Sequence, residues 1–119
     1  MSWVKLFYVI GMVESGLDPL AINAKENALG QYQLRPIYIE CVNSRLPENE
    51  QFVNADAFLT EQAEKIVKLY ITYWIKVRNL ELNYENACRL HNGGSGFIFK
   101  KHKTDHYWSK CQKVLKTLN

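Results

Sequence analysis

At 119 residues and 47% hydrophobic content, the chain has enough apolar material for one compact domain, residues 1–119, and little for a second. Fifteen Lys and Arg against 12 Asp and Glu give a net charge of +3, which favours an acidic polymer or surface, while the absence of any block of five like charges gives no indication of nucleic acid. Cys41, Cys88 and Cys111 are too few and too widely spaced for a zinc pattern, and an odd number cannot close into a full disulfide set. Buried free thiols are expected, with neither metal nor cofactor.

The opening run WVKLFYVIGMV is 11 residues long, holds Lys5 and leads into Glu14 without a small-residue cleavage site. It is too short and too polar for a membrane anchor or export signal and reads as a buried helix ending at Glu14, with Gly16 as its cap. An extracytoplasmic role would then need another delivery route or a longer precursor. Asp18-Pro19 and the polar stretch Asn23 to Asn27 predict a loop. Pro36 suits the first turn of a short helix that carries Ile37, Ile39 and Val42 towards Leu46. Leu59, Ala63, Ile66, Val67, Tyr70, Tyr73, Trp74 and Val77 recur at steps of three and four, which predicts a long central helix with Thr60 or Asn54 as its cap. Tyr70, Tyr73 and Trp74 read as packing on that helix. Glu85 to Leu90 predicts another short helix stopped by Asn92-Gly93-Gly94, and Thr104 opens a last one carrying Tyr107, Trp108, Cys111, Val114, Leu115 and Leu118. No period-two strand is legible. The fold class expected is therefore all-α, a long helix surrounded by shorter ones, with no membrane insertion and a monomeric state.

Chemistry would sit in the two loops rich in turn formers, 16–30 and 92–104. A carboxyl held at a helix end against Val13 and Leu17 is partly desolvated, which favours the neutral form that can donate a proton. Gly30 lets a chain pass close to a ligand, Gln33 offers both a donor and an acceptor, and Asn92 before two glycines predicts a tight turn with exposed amides. Tyr32 is the aromatic best placed to meet a sugar. His91 suits a hydrogen-bonded structural histidine or a substrate contact, and His102 and His106 suggest no metal. Gly93-Gly94-Ser95-Gly96 lacks the lysine and strand of a phosphate loop, and Ser15 is not flanked as a hydrolase nucleophile.

Read in order, Glu14-Ser15-Gly16, Ala28-Leu29-Gly30-Gln31-Tyr32-Gln33, His91-Asn92-Gly93-Gly94 and Tyr107-Trp108 resemble the soluble lytic transglycosylase and goose-type lysozyme superfamily, in particular its small phage-encoded members. The likeness runs from residue 3 to about 115. It implies a lysozyme-like α domain that cleaves peptidoglycan glycan strands, either as an endolysin or as a virion-associated piece. Glu14 is cast as the catalytic acid/base with Ser15 as its neighbour, Gly30 and Gln33 line the glycan cleft, Asn92 matches the asparagine of the alanine-tyrosine-asparagine-glycine motif, and Tyr107 is the late tyrosine that approaches the carboxyl. Tyr32 stands where methionine is common and His91 where tyrosine is, both changes that resemble the phage-type branch. Phe97 to Lys103 is a basic, aromatic insertion that suits an anionic wall polymer or a solvated loop.

In that family one glutamate protonates the glycosidic oxygen and then deprotonates an internal nucleophile, the C6 hydroxyl of N-acetylmuramic acid, to give a 1,6-anhydro product. A hydrolytic lysozyme of the inverting kind would need a second carboxylate roughly 6.5 to 9.5 Å away, for which Glu26 and Asp18 are the candidates. The single-glutamate route is slightly favoured. A chitin-cleaving enzyme, and a glycan-binding or virion structural module without activity, remain as different classes.

Overall fold

The computed structural model describes residues 1–118 and is an all-α protein. Helix α1, Trp3–Ser15, begins where the Ser2 hydroxyl accepts the Lys5 N–H and ends at Gly16, whose φ of 64° only glycine adopts without a Cβ penalty. Leu17 follows at φ 68° and turns its N–H back onto the Gly11 carbonyl. The chain therefore reverses sharply just past Glu14.

Two strands of two residues each, β1 (Ile22–Asn23) and β2 (Ala28–Leu29), then pair antiparallel within the predicted loop. Such short strands carry no period-two signal, which is why the sequence shows a loop there. Helix α2, Pro36–Asn43, starts on its proline as expected. Two 3-10 turns, Glu48–Glu50 and Asn54–Phe58, lead into α3, Thr60–Val77. Neither Thr60 nor Asn54 caps it. Leu59 occupies the cap position without a side-chain bond, and Asn54 opens the preceding 3-10 turn, where the Asp56 carboxylate accepts the Val53 N–H.

Helix α4, Tyr84–Gly93, extends beyond the expected Glu85 to Leu90 at both ends. The Asn83 side chain caps its start through the Asn86 N–H, and its end runs on until Gly94 at φ 76°. His91, Asn92 and Gly93 consequently lie in the last helical turn rather than in a tight loop. Two further 3-10 turns, Phe97–Phe99 and Lys101–Thr104, connect to α5, Asp105–Thr117.

The hydrophobic core gathers Leu6, Val9 and Ile10 from α1, Ile66, Val67 and Ile71 from α3, Leu90 from α4 and Cys111 from α5. Helix α3 buries the i, i+3, i+4, i+7, i+8 stripe from Ala63 to Ile71. Helix α4 packs against α1, α3 and α5 and buries five consecutive residues, Ala87 to His91. Its buried cation, Arg89, is satisfied by Glu85, Asp105, the Thr104 hydroxyl and the Lys101 carbonyl, all at 2.7–3.0 Å. Cys88 and Cys111 are buried free thiols, whereas Cys41 is only partly buried. Among the described residues no helix is long and apolar enough to cross a membrane.

Candidate active site

The ends of α1 and α4 and the first turn of α5 meet at Glu14. The last turn of a helix presents the negative end of its dipole, so a carboxylate there needs donors from elsewhere in the fold. One arrives, and a second polar group comes close to the same oxygen. Tyr107 Oη donates to Glu14 Oε2 at 3.0 Å, and His91 Nε2 lies 3.2 Å from that oxygen. These contacts to the Glu14 carboxyl are polar, and Leu17 packs towards Gly11.

The His91 ring is almost wholly buried, and its other contacts fix its tautomer. Nε2 is 2.9 Å from the Tyr32 carbonyl, which only accepts, so in the neutral ring Nε2 carries the hydrogen and donates it there, with Glu14 Oε2 alongside at 3.2 Å. Nδ1 of the neutral ring is left to accept from the Tyr38 hydroxyl at 3.0 Å. Burial, with the Tyr70 phenol and the Glu14 carboxylate adding to it, pushes the Tyr38 phenol well above its ordinary range. Burial and then the Glu14 carboxylate do the same to Tyr107. Both phenols hold their protons and remain donors.

Glu14 lies in the wall of an open groove of about 700 Å³, within the size range of small-ligand clefts. One side is aromatic. Tyr38 stacks on Tyr70 with ring centres 3.8 Å apart, and Tyr70 meets Trp74 edge-on at 6.5 Å. Trp74 also has a buried Nε1 without a hydrogen-bond partner. The other side carries Gln33 and the Arg35–Glu26 ion pair, and the far rim is the Asn92 to Gly96 turn.

The residues singled out in the sequence fall into two sets. Glu14, Gln33, His91, Asn92 and Glu26 line the groove, and Tyr107 reaches it through Glu14. Gln33 adopts φ 53° and commits its Nε2 to the Gly30 carbonyl at 2.9 Å, leaving Oε1 as its free acceptor. Ser15, Gly30, Tyr32 and Asp18 do other work. The Ser15 hydroxyl donates to the Gln31 carbonyl at 2.7 Å and accepts the Asp18 N–H, tying the loop to α1. Gly30, at φ 78°, is required by the protein's own backbone rather than by a ligand, because a Cβ there would lie 1.9 Å from the Ala57 carbonyl oxygen. The Tyr32 ring is 1% exposed and packs on Phe7, so only its carbonyl serves the site. Asp18 is exposed, caps the Leu20 N–H and does not line the groove.

Tyr38, Tyr70, Trp74, Arg35 and Cys41 also line the groove and were not legible as site residues. Tyr70 and Trp74 fit the helical stripe so well that core packing accounted for them. The available signal was their polar ring atoms, spaced i, i+4 at the end of an already sufficient apolar face. Among the described residues no group of three or more His, Cys, Asp or Glu could hold a metal ion.

The chain matches no protein-family model, no curated protein and no solved structure.

Proposed function

We propose that this protein cleaves the β-1,4 bond between N-acetylmuramic acid and N-acetylglucosamine in peptidoglycan, with Glu14 as the single general acid/base. The observation that carries the reading is the convergence of Tyr107 and His91 on Oε2 of a carboxyl that lines an open groove of about 700 Å³. With Tyr107 donating to Oε2, the proton of the neutral acid resides on Oε1. That oxygen transfers it to the glycosidic oxygen as the bond breaks. The charge left on the carboxylate is then stabilised by the Tyr107 hydroxyl already in place, which needs no reorganisation. The same carboxylate removes the proton from the C6 hydroxyl of the muramyl residue, which closes the 1,6-anhydro ring. The resemblance of the Glu14, Gly30 to Gln33, Asn92 and Tyr107 elements to lytic transglycosylases and goose-type lysozymes supports this assignment. Trp74, partly exposed in the groove wall, supplies an aromatic face on which a sugar ring packs.

A hydrolytic reading is favoured by one observation, the presence of Glu26 in the same groove. Its carboxylate is engaged by Arg35, however, and Asp18 points to no part of the cleft, so the one-carboxylate route is preferred. Mass spectrometry of the soluble products from purified peptidoglycan separates the two. Ends in 1,6-anhydro-N-acetylmuramic acid support transglycosylation, reducing ends support hydrolysis with Glu26 as base, and no products from the folded protein leave a glycan-binding or structural module.

A further inference from the structure

Beyond Asn92 the groove opens onto a second cavity of about 570 Å³, which shares Asn92, Gly93 and Gly96 with the first and is walled by Phe97, Phe99, Lys100 and Lys103. We infer that this cavity binds the carboxylates of the peptide branches carried by the glycan strand. The inference rests on the glycan-cleaving reading of the groove and names the part of the same substrate that the groove does not hold.

The cavity is cationic and apolar at once. No acidic residue lines it. Lys101 is drawn away to Glu85 at 3.4 Å, but Lys100 and Lys103 have no acidic partner among the described residues. Phe99 is 73% exposed, and the Arg78 guanidinium lies 5.4 Å from its ring centre. An exposed phenylalanine between unpaired lysines is unfavourable to leave in water and suited to a ligand with small apolar groups and free carboxylates.

The wall is also preorganised. Arg89 bonds the Lys101 carbonyl, Thr104 and Asp105, which pins the base of the segment to α4. Gly93 lets it approach so closely that a Cβ there would lie 2.6 Å from Thr104 Cγ2. Because the cavity shares its rim with the groove, its occupant must be a short branch of whatever runs through the groove. A peptide branch on each muramyl residue meets that condition. A phosphate polymer attached at scattered points along the strand does not.

The test uses the whole chain and the double substitution Lys100→Gln/Lys103→Gln, which removes two exposed charges and leaves the core intact. Product release is measured on peptide-bearing peptidoglycan, on the same strands after amidase removal of the peptides, and on walls with and without phosphate polymers. The expected result is about a fivefold slower release from peptide-bearing strands, a gap that widens at low salt and closes at high salt, with wild-type rates on peptide-free strands. An equal loss on both strand types, no loss on either, or a loss that follows phosphate content overturns the inference while the glycan-cleaving reading stands. If the wild type cleaves neither strand type, the glycan-cleaving reading fails and takes this inference with it.

Discussion

The Tyr107 hydrogen bond and the nearby His91 ring fall on Oε2 and none on Oε1, which makes the two oxygens of Glu14 chemically different before any substrate binds. Tyr107→Phe removes one hydrogen bond to a carboxylate, worth about 1.5–3 kcal/mol. It should therefore lower kcat by roughly 10- to 100-fold while leaving KM and the circular dichroism spectrum close to wild type. An unchanged kcat would show that the phenol does not serve the carboxylate. At this scale the sequence pointed to Glu14, Gln33 and Asn92, polar side chains near element ends that line the groove, and to Tyr107, which packs in the core and reaches the groove only through its hydroxyl. It was misleading about Tyr32, whereas Tyr70 packs in the core as expected while also lining the groove. A tyrosine fits equally well in a core or in a cleft, and only the chain's path decides which; here Tyr32 turns inward onto Phe7 while Tyr70 stacks along the groove.

The hairpin and the end of α4 are the elements that bring the site together. Gly30 follows β2 and passes against the Ala57 carbonyl, so the β1–β2 corner and the 3-10 turn before α3 are locked to each other. Gly30→Ala cannot be relieved by a rotamer change, since the obstacle is backbone. It should cost roughly 3 kcal/mol or more, about 10 °C in Tm, and calorimetry of the variant checks this. A melting temperature within two or three degrees of wild type would mean that the corner is free to shift. The helices were legible from apolar spacing and caps. The hairpin was not, because two-residue strands have no period, and the end of α4 was misplaced because Asn92-Gly93-Gly94 resembles a stop signal. The helix continues because Gly93 is needed for the close packing of Thr104 and Phe97, a tertiary reason that no local pattern contains.

Across the whole molecule, one core joins all five helices, and an unusual share of its polar edge is tyrosine hydroxyl. Burial raises the phenols of Tyr32, Tyr38, Tyr70 and Tyr107 above the ordinary tyrosine range, that of Tyr70 to about 12. The folded state then binds more protons than the unfolded chain above about pH 10, so stability falls as pH rises there, by up to about 1.4 kcal/mol per pH unit for each tyrosine. Below about pH 9 these four groups contribute no pH dependence. Melting curves between about pH 9 and pH 11 should show this decline, with tyrosinate absorbance from the four rising only as the fold is lost. Tyrosinate forming in full before unfolding would contradict the burial of these rings.

The account stands on one carboxyl doing both proton transfers. The most direct test incubates purified peptidoglycan with the wild-type chain and with Glu14→Gln, and identifies the soluble products by mass. The glutamine keeps the shape and an acceptor for Tyr107 but has no proton to give. The predicted result is 1,6-anhydro-muramyl products from the wild type and at least about a thousandfold slower release from a folded Glu14→Gln. Near-normal release by that variant would contradict the assignment of Glu14, whatever the products are.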